Sequence, residues 1–180
     1  VILDIGAQST DLLIMDGEKF WLRNLPIAEA TQDANQQHYE LPVGFFETML
    51  GPNLKYSSCY FESPQSSLAE AENEMLRRTC QRAEIEDCMR ILDLGCGWGS
   101  VTLWVAEQFP RSSIVAVSNS SSQRQFIEAR ASERGLSNVR VITADMREFN
   151  IDERFDRVVS VEMFELPYEF NPCLCVDGVV

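Results

Sequence analysis

Three glycines at alternate positions are the residues most suited to binding chemistry. Gly95, Gly97 and Gly99 directly follow the apolar run 89–94, and a helix-forming stretch follows them. Because glycine has no β-carbon, the backbone there can approach a bound ligand closely. In open α/β sheets, ligands bind outside the carboxyl ends of the strands, where such a turn lies. The pattern predicts a ligand-binding loop, although a nucleotide loop or a plain tight turn would also suit the glycines alone.

The segments around this loop alternate between strand and helix. Apolar runs predict four strands. A helix is predicted after the loop, stopped by Pro110, and another with Gly135 as its C-terminal cap. The predicted strands cover 89–94, 113–118, 138–145 and 155–164, and the helices cover 100–109 and 121–135. Strands that alternate with helices of this length indicate a doubly wound parallel α/β sheet.

The first half of the chain has different signals. Residues 1–25 read as short strands, with a hairpin turn at Asp16–Gly17. Pro42 and Gly51 bracket a short amphipathic helix. Ser67 and Glu70 form a capping-box pattern that opens a helix through about Arg82. On that helix the apolar positions 68, 71, 75, 76, 79 and 80 predict the packed face, and the carboxylates at 70, 72 and 74 predict a solvated face.

Composition excludes several classes of protein. The chain has 180 residues, is 45% hydrophobic and carries a formal net charge of −13. This charge disfavours nucleic acid as a partner, and no apolar run reaches the roughly 18–20 residues of a membrane span. With one histidine, His38, and no CxxC pair, no metal site is expected. The cysteine usage predicts a reducing, cytoplasmic compartment.

The GxGxG spacing has a more specific meaning because Asp93 stands two residues before it. This combination resembles motif I of class I S-adenosyl-L-methionine (SAM) methyltransferases, whereas dinucleotide enzymes carry GxGxxG. The amino-acid end of SAM is zwitterionic, so a carboxylate at the turn can hold its ammonium group. The end of the third strand offers Asp145 to the adenine amino group.

Further motifs narrow the resemblance. The segments "HYELPVGFFETMLGPNLKYSSCYF" (38–61), "VSNSSSQ" (117–123), "ADM" (144–146) and "SVEMFE" (160–165) accompany the glycine loop in order. Over about residues 28–165 the chain resembles the cyclopropane fatty acid synthase family, and within it the branch of coclaurine-type N-methyltransferases. The resemblance implies SAM as cofactor and a Rossmann-like methyltransferase fold. It also implies a small-molecule amine or an unsaturated lipid acyl chain as substrate.

The same resemblance implies roles for individual residues. Glu162 and Glu165 would face the substrate as catalytic residues. The residues expected to bind SAM are Tyr56, Ser57, Asp93, Gly95, Cys96, Gly97, Ser118, Asn119, Ser120, Gln123, Asp145 and Met146.

Two departures from the family pattern bear on the substrate. Leu166 follows "MFE" where the family has histidine. Ser58 stands where the family often has a cysteine that binds the bicarbonate base of cyclopropanation. Both favour simple methyl transfer over cyclopropanation. The motif "LPYE" superficially resembles the (D/N)PPY motif of DNA amino-methyltransferases, but it lacks two of that motif's positions and the negative charge opposes DNA.

The two ends of the chain fit the family least. Asp4, Gly6 and Thr10 resemble a phosphate-loop hairpin of actin-like type IV pilus assembly ATPases. We therefore divide the chain into a β-hairpin appendage (1–27), an N-terminal helical or lid segment (28–88), a SAM-binding half domain (89–165) and an irregular tail (166–180). The sheet is expected to be truncated after about strand four. The alternative function is a non-catalytic fragment or fusion remnant with at most weak SAM binding, and the oligomeric state is left open.

Overall fold

A parallel sheet organises the described part of the chain. The computed structural model describes residues 2–3, 12–13, 42–56, 58–145 and 149–161. In chain order the elements are β1 (Ile2–Leu3), β2 (Leu12–Leu13), α1 (Val43–Met49), α2 (Leu68–Arg82), β3 (Arg90–Leu94), α3 (Ser100–Gln108), β4 (Ser113–Ser118), α4 (Ser121–Glu133), β5 (Val139–Thr143) and β6 (Arg157–Ser160). The strands and helices predicted from residue 89 onward are confirmed, with β6 shorter than expected.

The strand order places β3 at the centre. Among the described residues the order is β2-β1-β6-β3-β4-β5, and β6, β3, β4 and β5 are mutually parallel. At one edge β1 pairs parallel with β6 and antiparallel with β2. The turn predicted at Asp16–Gly17 lies outside the described residues.

Alternation along the strands divides the core between two faces. Ile91, Ile114 and Val159 face α2 and α3, where they pack in one buried cluster with Leu76 and Val105. The opposite face presents Leu92, Val115 and Val158, which pack against Phe149 and Phe155. Successive strand side chains point to opposite faces, so both faces of the central strands are covered and read as continuous apolar runs.

Local signals set the helix starts. The Ser67 hydroxyl accepts a hydrogen bond from the Glu70 amide (3.3 Å), and the Glu70 carboxylate accepts one from the Ser67 amide (2.7 Å). This confirms the capping box of α2. Ser120 caps α4 in the same way, by accepting from the Gln123 amide. Gly135 follows that helix at φ +68°, in the left-handed region that favours glycine at a helix end.

One expectation about α2 is wrong. Glu72 was expected on a solvated face with Glu70 and Glu74, but its side chain is completely buried, while Leu68 is 42% exposed. The helical period explains the result, since Glu72 lies one turn before Leu76 and two turns before Thr79, both buried. The period therefore places Glu72 on the packed face despite its charge.

The described helices are short, and the longest, α2, has 15 residues. None of those within the described ranges is long and apolar enough to cross a membrane.

Candidate functional site

The register of the sheet brings the candidate residues to one edge. Leu94 is level with Val117 of β4 and with Ser160 of β6, and Val117 is level with Ile142 of β5. The segments that follow these strands therefore emerge side by side. This places the glycine loop next to Ser118 and near Asp145, as expected for a ligand site at the carboxyl ends of parallel strands.

The glycine loop is fixed at its start and open in its middle. The amides of Gly95 and Cys96 both donate to the Val117 carbonyl oxygen, each at 3.0 Å. Gly97 has φ +54°, and a β-carbon built there would meet no atom within 4 Å. Gly99 has φ +82°, but its β-carbon would lie 2.7 Å from Cγ1 of Ile127. Gly99 thus allows α4 to pack closely, whereas Gly97 borders open space for a ligand.

Asp93 lies beneath this loop as a buried acid. The Thr102 hydroxyl donates to its carboxylate at 2.6 Å. Burial raises the pKa of Asp93 to about 6, although the hydrogen bond from Thr102 opposes the shift. The neighbouring Cys96 thiol is also buried, which raises its pKa well above the ordinary value and keeps it protonated. The negative charge available to this loop therefore comes from Asp93.

A hydrogen-bonded turn follows β4. The Ser118 hydroxyl donates to the Gln123 side-chain oxygen at 2.5 Å and accepts from the Ser120 amide at 3.1 Å. Nε2 of Gln123 and the hydroxyl of Ser100 are buried and have no hydrogen-bond partner among the described residues. Asn119 in the same turn is exposed.

Aromatic rings connect the N-terminal segment to the loop. The ring of Tyr56 lies 6.1 Å from that of Phe46, which lies 5.1 Å from Trp98 of the glycine loop. Phe46, Leu54 and Trp98 form one buried cluster. Tyr56 is 57% exposed and is thus held near the strand ends with its side chain accessible.

A cavity of about 360 Å³ lies between α1, α3 and α4, and Trp98 is part of its lining. Leu50, Leu54 and Phe126 contribute its apolar lining, and Arg130 lies at the same cavity. Its lining includes neither Asp93 nor the turn after β4, so this cavity is distinct from the strand-end site.

The remaining predicted site residues divide into two groups. Asp145 follows β5 and is half-buried at the expected edge. Ser57, Met146, Glu162 and Glu165 lie outside the described residues. Within the described ranges, no group of three or more histidine, cysteine, aspartate or glutamate side chains has a metal-binding arrangement.

Sequence reasoning missed one residue near this site. Glu72 of α2 accepts hydrogen bonds from the amides of Asn53 (2.9 Å) and Lys55 (3.2 Å), which lie just before Tyr56. The available signal was its position on the packed face of an otherwise apolar helical stripe.

Comparisons with known proteins agree with this geometry. The chain is 44% identical over 144 residues to (S)-coclaurine N-methyltransferase from Thalictrum flavum subsp. glaucum, and the match covers 80% of this chain and 40% of that protein. It is 33% identical over 144 residues to cyclopropane-fatty-acyl-phospholipid synthase of Escherichia coli K12, covering 80% of this chain and 36% of that protein. A crystal structure of coclaurine N-methyltransferase bound to N-methylheliamine and SAH (S-adenosylhomocysteine) superposes with a TM-score of 0.74 at 42% identity, covering 79% of this chain and 41% of that one.

The chain therefore spans about 40% of the length of the first of these relatives. The resemblance of residues 1–27 to actin-like ATPases is not borne out by the comparisons. The mycolic acid cyclopropane synthetase family matches residues 28–168. Because this match covers well over half of the chain, the chain belongs to the mycolic acid cyclopropane synthetase family.

Proposed function

We propose that this chain carries the SAM-binding part of a methyltransferase that acts on a small-molecule amine. The observation that carries the proposal is the open space at Gly97, which lies at the strand ends beside the turn 118–123. This open space beside a turn rich in polar residues supports a ligand of SAM's kind.

Each part of SAM has candidate partners here. Gly95, Cys96 and Gly97 would surround the methionine part, and Asp93 in its ionised form would favour the ammonium group. The turn 118–123, including Asn119 and Ser120, would bind the ribose. Asp145 and Met146 would lie by the adenine, and Tyr56 with Ser57 would cover the cofactor from the N-terminal segment.

The bound cofactor supplies an electrophilic methyl group on a sulfonium. The protein then has to hold the amine in line with that methyl and exclude water, because alignment contributes most of the acceleration in such transfers. Glu162 and Glu165 come soon after β6 in the sequence. In our proposal one of them removes a proton from the amine or stabilises the developing ammonium.

Three observations favour an amine over an alkene. The identity to the N-methyltransferase above is 44%, against 33% for the cyclopropane synthase. Ser58 replaces the cysteine that the family often uses in cyclopropanation. The net charge of −13 attracts cationic amines and repels anionic phospholipid surfaces.

The test has two parts. Calorimetry with SAM and SAH measures whether the site binds the cofactor, and radiolabelled SAM measures methyl transfer to a panel of secondary and tertiary amines and to vesicles of unsaturated phospholipid. Transfer to amines supports the proposal. Transfer only to phospholipid would overturn the choice of substrate, and the absence of SAM and SAH binding would overturn the cofactor site.

A cytoplasmic location is part of the same proposal. Cys59, Cys80, Cys88 and Cys96 are free thiols in the described part of the chain. Free thiols that persist are typical of a reducing compartment.

A further inference from the structure

A buried carboxylate holds the segment that leads to Tyr56. Glu72 is completely buried, and its two oxygens accept the amides of Asn53 (2.9 Å) and Lys55 (3.2 Å). Burying a carboxylate is costly unless its oxygens are hydrogen-bonded. Two amides from one short loop therefore offset the cost of burying the Glu72 side chain. Glu72 in turn fixes the backbone path of that loop.

The loop needs such support because its backbone is strained. Leu54, between the two bonded amides, has φ +49°, and Ser58 has φ +58°. A left-handed conformation costs a non-glycine residue about 1–2 kcal/mol. Hydrogen bonds to the Glu72 carboxyl oxygens on both sides of Leu54 offset this cost. The carboxylate thus acts at the point where the loop would otherwise relax.

The fit between helix and loop is close. A β-carbon at Gly51 would lie 2.5 Å from the Glu72 carboxyl carbon, so any larger residue would displace the carboxylate. The next residue, Asn73, accepts from the side-chain amide of Asn53 (3.1 Å) and from the Trp104 indole N–H of α3 (3.2 Å). One turn of α2 therefore joins the loop to the helix that follows the glycines.

We infer that Glu72 is a positioning residue that sets Tyr56 over the cofactor by holding residues 51–55 in their strained conformation. The inference rests on the proposed function for its effect on SAM, but the hold on the loop is a property of the ligand-free protein. Tyr56 follows Lys55 directly, so release of the Lys55 amide frees the backbone that carries its ring. Both consequences can be measured separately.

Proteolysis measures the hold on the loop without any ligand. The chain has two lysines, Lys19 and Lys55, so an endoproteinase specific for lysine cuts after residue 55 at one defined bond. Lys55 is 6% exposed and protected in the native loop. Glu72→Gln keeps the shape but leaves one backbone amide facing an N–H₂ group. We expect it to accelerate cleavage after Lys55 by about tenfold, the scale of one lost hydrogen bond to a charged group.

Matched variants separate this effect from general destabilisation. Thr79 lies on the same buried face of α2 and bonds only within the helix, to the Met75 carbonyl at 2.9 Å. Thr79→Val should leave cleavage after Lys55 within twofold of the parent protein. Gly51→Ala should accelerate cleavage, but not further in a Glu72→Ala background, where the opposing carboxylate is absent.

SAH binding by calorimetry tests the consequence for the cofactor. We expect Glu72→Gln to weaken SAH binding severalfold in the parent protein and to have no effect in a Tyr56→Ala background. Unchanged cleavage in Glu72→Gln, or equal acceleration by Thr79→Val, would overturn the hold on the loop. Faster cleavage with unchanged SAH affinity would overturn the positioning of Tyr56. If the parent protein binds no SAH, the cofactor site and the positioning role both fall, while cleavage still decides the hold on the loop.

Discussion

Gly97 and Gly135 have similar backbone angles in different surroundings, which makes them a matched pair. Their φ angles are +54° and +68°, and a β-carbon at either would meet no atom within 4 Å. Valine at each position should cost about 1–2 kcal/mol of stability because of the left-handed backbone. Gly97→Val should also abolish SAH binding, since the new side chain enters the ligand space. Calorimetry on both variants checks this, and equal affinities would contradict the assignment of the site.

Asp93 gives a prediction about pH. Its pKa is about 6 in the folded protein and about 3.9 in an unfolded chain, so between these values the folded state binds more protons. The free energy of unfolding should therefore lose about 2 kcal/mol from this group as pH rises from about 4 to about 6, and the small remainder by about pH 7. Asp93→Asn should remove this loss.

Urea unfolding of both proteins from pH 4.5 to 7.5 measures the effect. The difference in stability should grow in favour of Asp93→Asn as pH rises through about 6, the pKa of the buried acid, and stay constant above about pH 7. Carboxylates with lowered pKa values, such as Glu74 at about 2, change the stability of both proteins equally with pH, so they cancel in the difference. Parallel curves would show that Asp93 titrates at its ordinary pKa.

At the residue scale, sequence reasoning singled out Gly97 and Asp93 as candidates but not Glu72. The glycines and the acid before them form a local pattern within one turn, and a local pattern can be recognised directly. The role of Glu72 depends on a loop about twenty residues earlier folding onto α2. Such a contact follows from tertiary packing. The charge of Glu72 alone suggested the solvent-exposed face of α2, whereas the residue lies on the packed face.

Among the elements, α2 depends on its capping box. Ser67→Ala removes the hydroxyl that accepts from the Glu70 amide, which should cost about 1 kcal/mol. The hydrogen bonds from Ser67 also lower the pKa of Glu70. The contribution of these hydrogen bonds to the free energy of unfolding is therefore fully present above the ordinary pKa of glutamate. It is lost as pH falls through the lowered pKa of Glu70. Thermal unfolding at neutral and acidic pH measures both effects.

An exposed serine elsewhere serves as the control for this prediction. Ser132→Ala in α4 removes a side chain from an exposed helical position and should be neutral or slightly stabilising. A loss for Ser67→Ala no larger than that for Ser132→Ala would contradict the role of the capping box.

The elements from residue 89 onward were predictable because their signals are local. Continuous apolar runs such as 113–118 predict buried parallel strands, and Ser120 and Gly135 mark the ends of α4. The loop 51–58 was not predictable in shape. Its left-handed residues Leu54 and Ser58 are not glycines. The hydrogen bonds on either side of Leu54 come from Glu72, which is distant in sequence.

At the scale of the whole molecule, the sheet combines strands from the family-matched region with β1, which lies before that region. Residues 28–168 match the family, whereas Ile2 and Leu3 pair with Val158 and Val159 at the edge of β6. The predicted division at residue 27 stays a prediction. The pairing nonetheless shows that Ile2 and Leu3 contact the sheet. Their sequence did not indicate this contact, because the sequence of a strand does not specify which strand it pairs with.

This arrangement predicts that deletion of residues 1–27 lowers stability but leaves cofactor binding nearly unchanged. A protein that starts at Ala28 keeps Gly97, Ser118 and Asp145, all on the β3–β4–β5 side of the sheet, so SAH affinity should stay within twofold. It loses the backbone pairing of β6 with β1. An unpaired strand edge is a site for association between chains.

We therefore expect the shortened protein to unfold at a lower urea concentration and to associate as its own concentration rises. Urea titration measures the first effect, light scattering the second, and calorimetry the SAH affinity. A shortened protein that unfolds like the full chain would show that β1 does not stabilise the β6 edge in solution. Loss of SAH binding with an intact fold would show instead that the first 27 residues belong to the cofactor site, and the division of the chain at residue 27 would then be wrong.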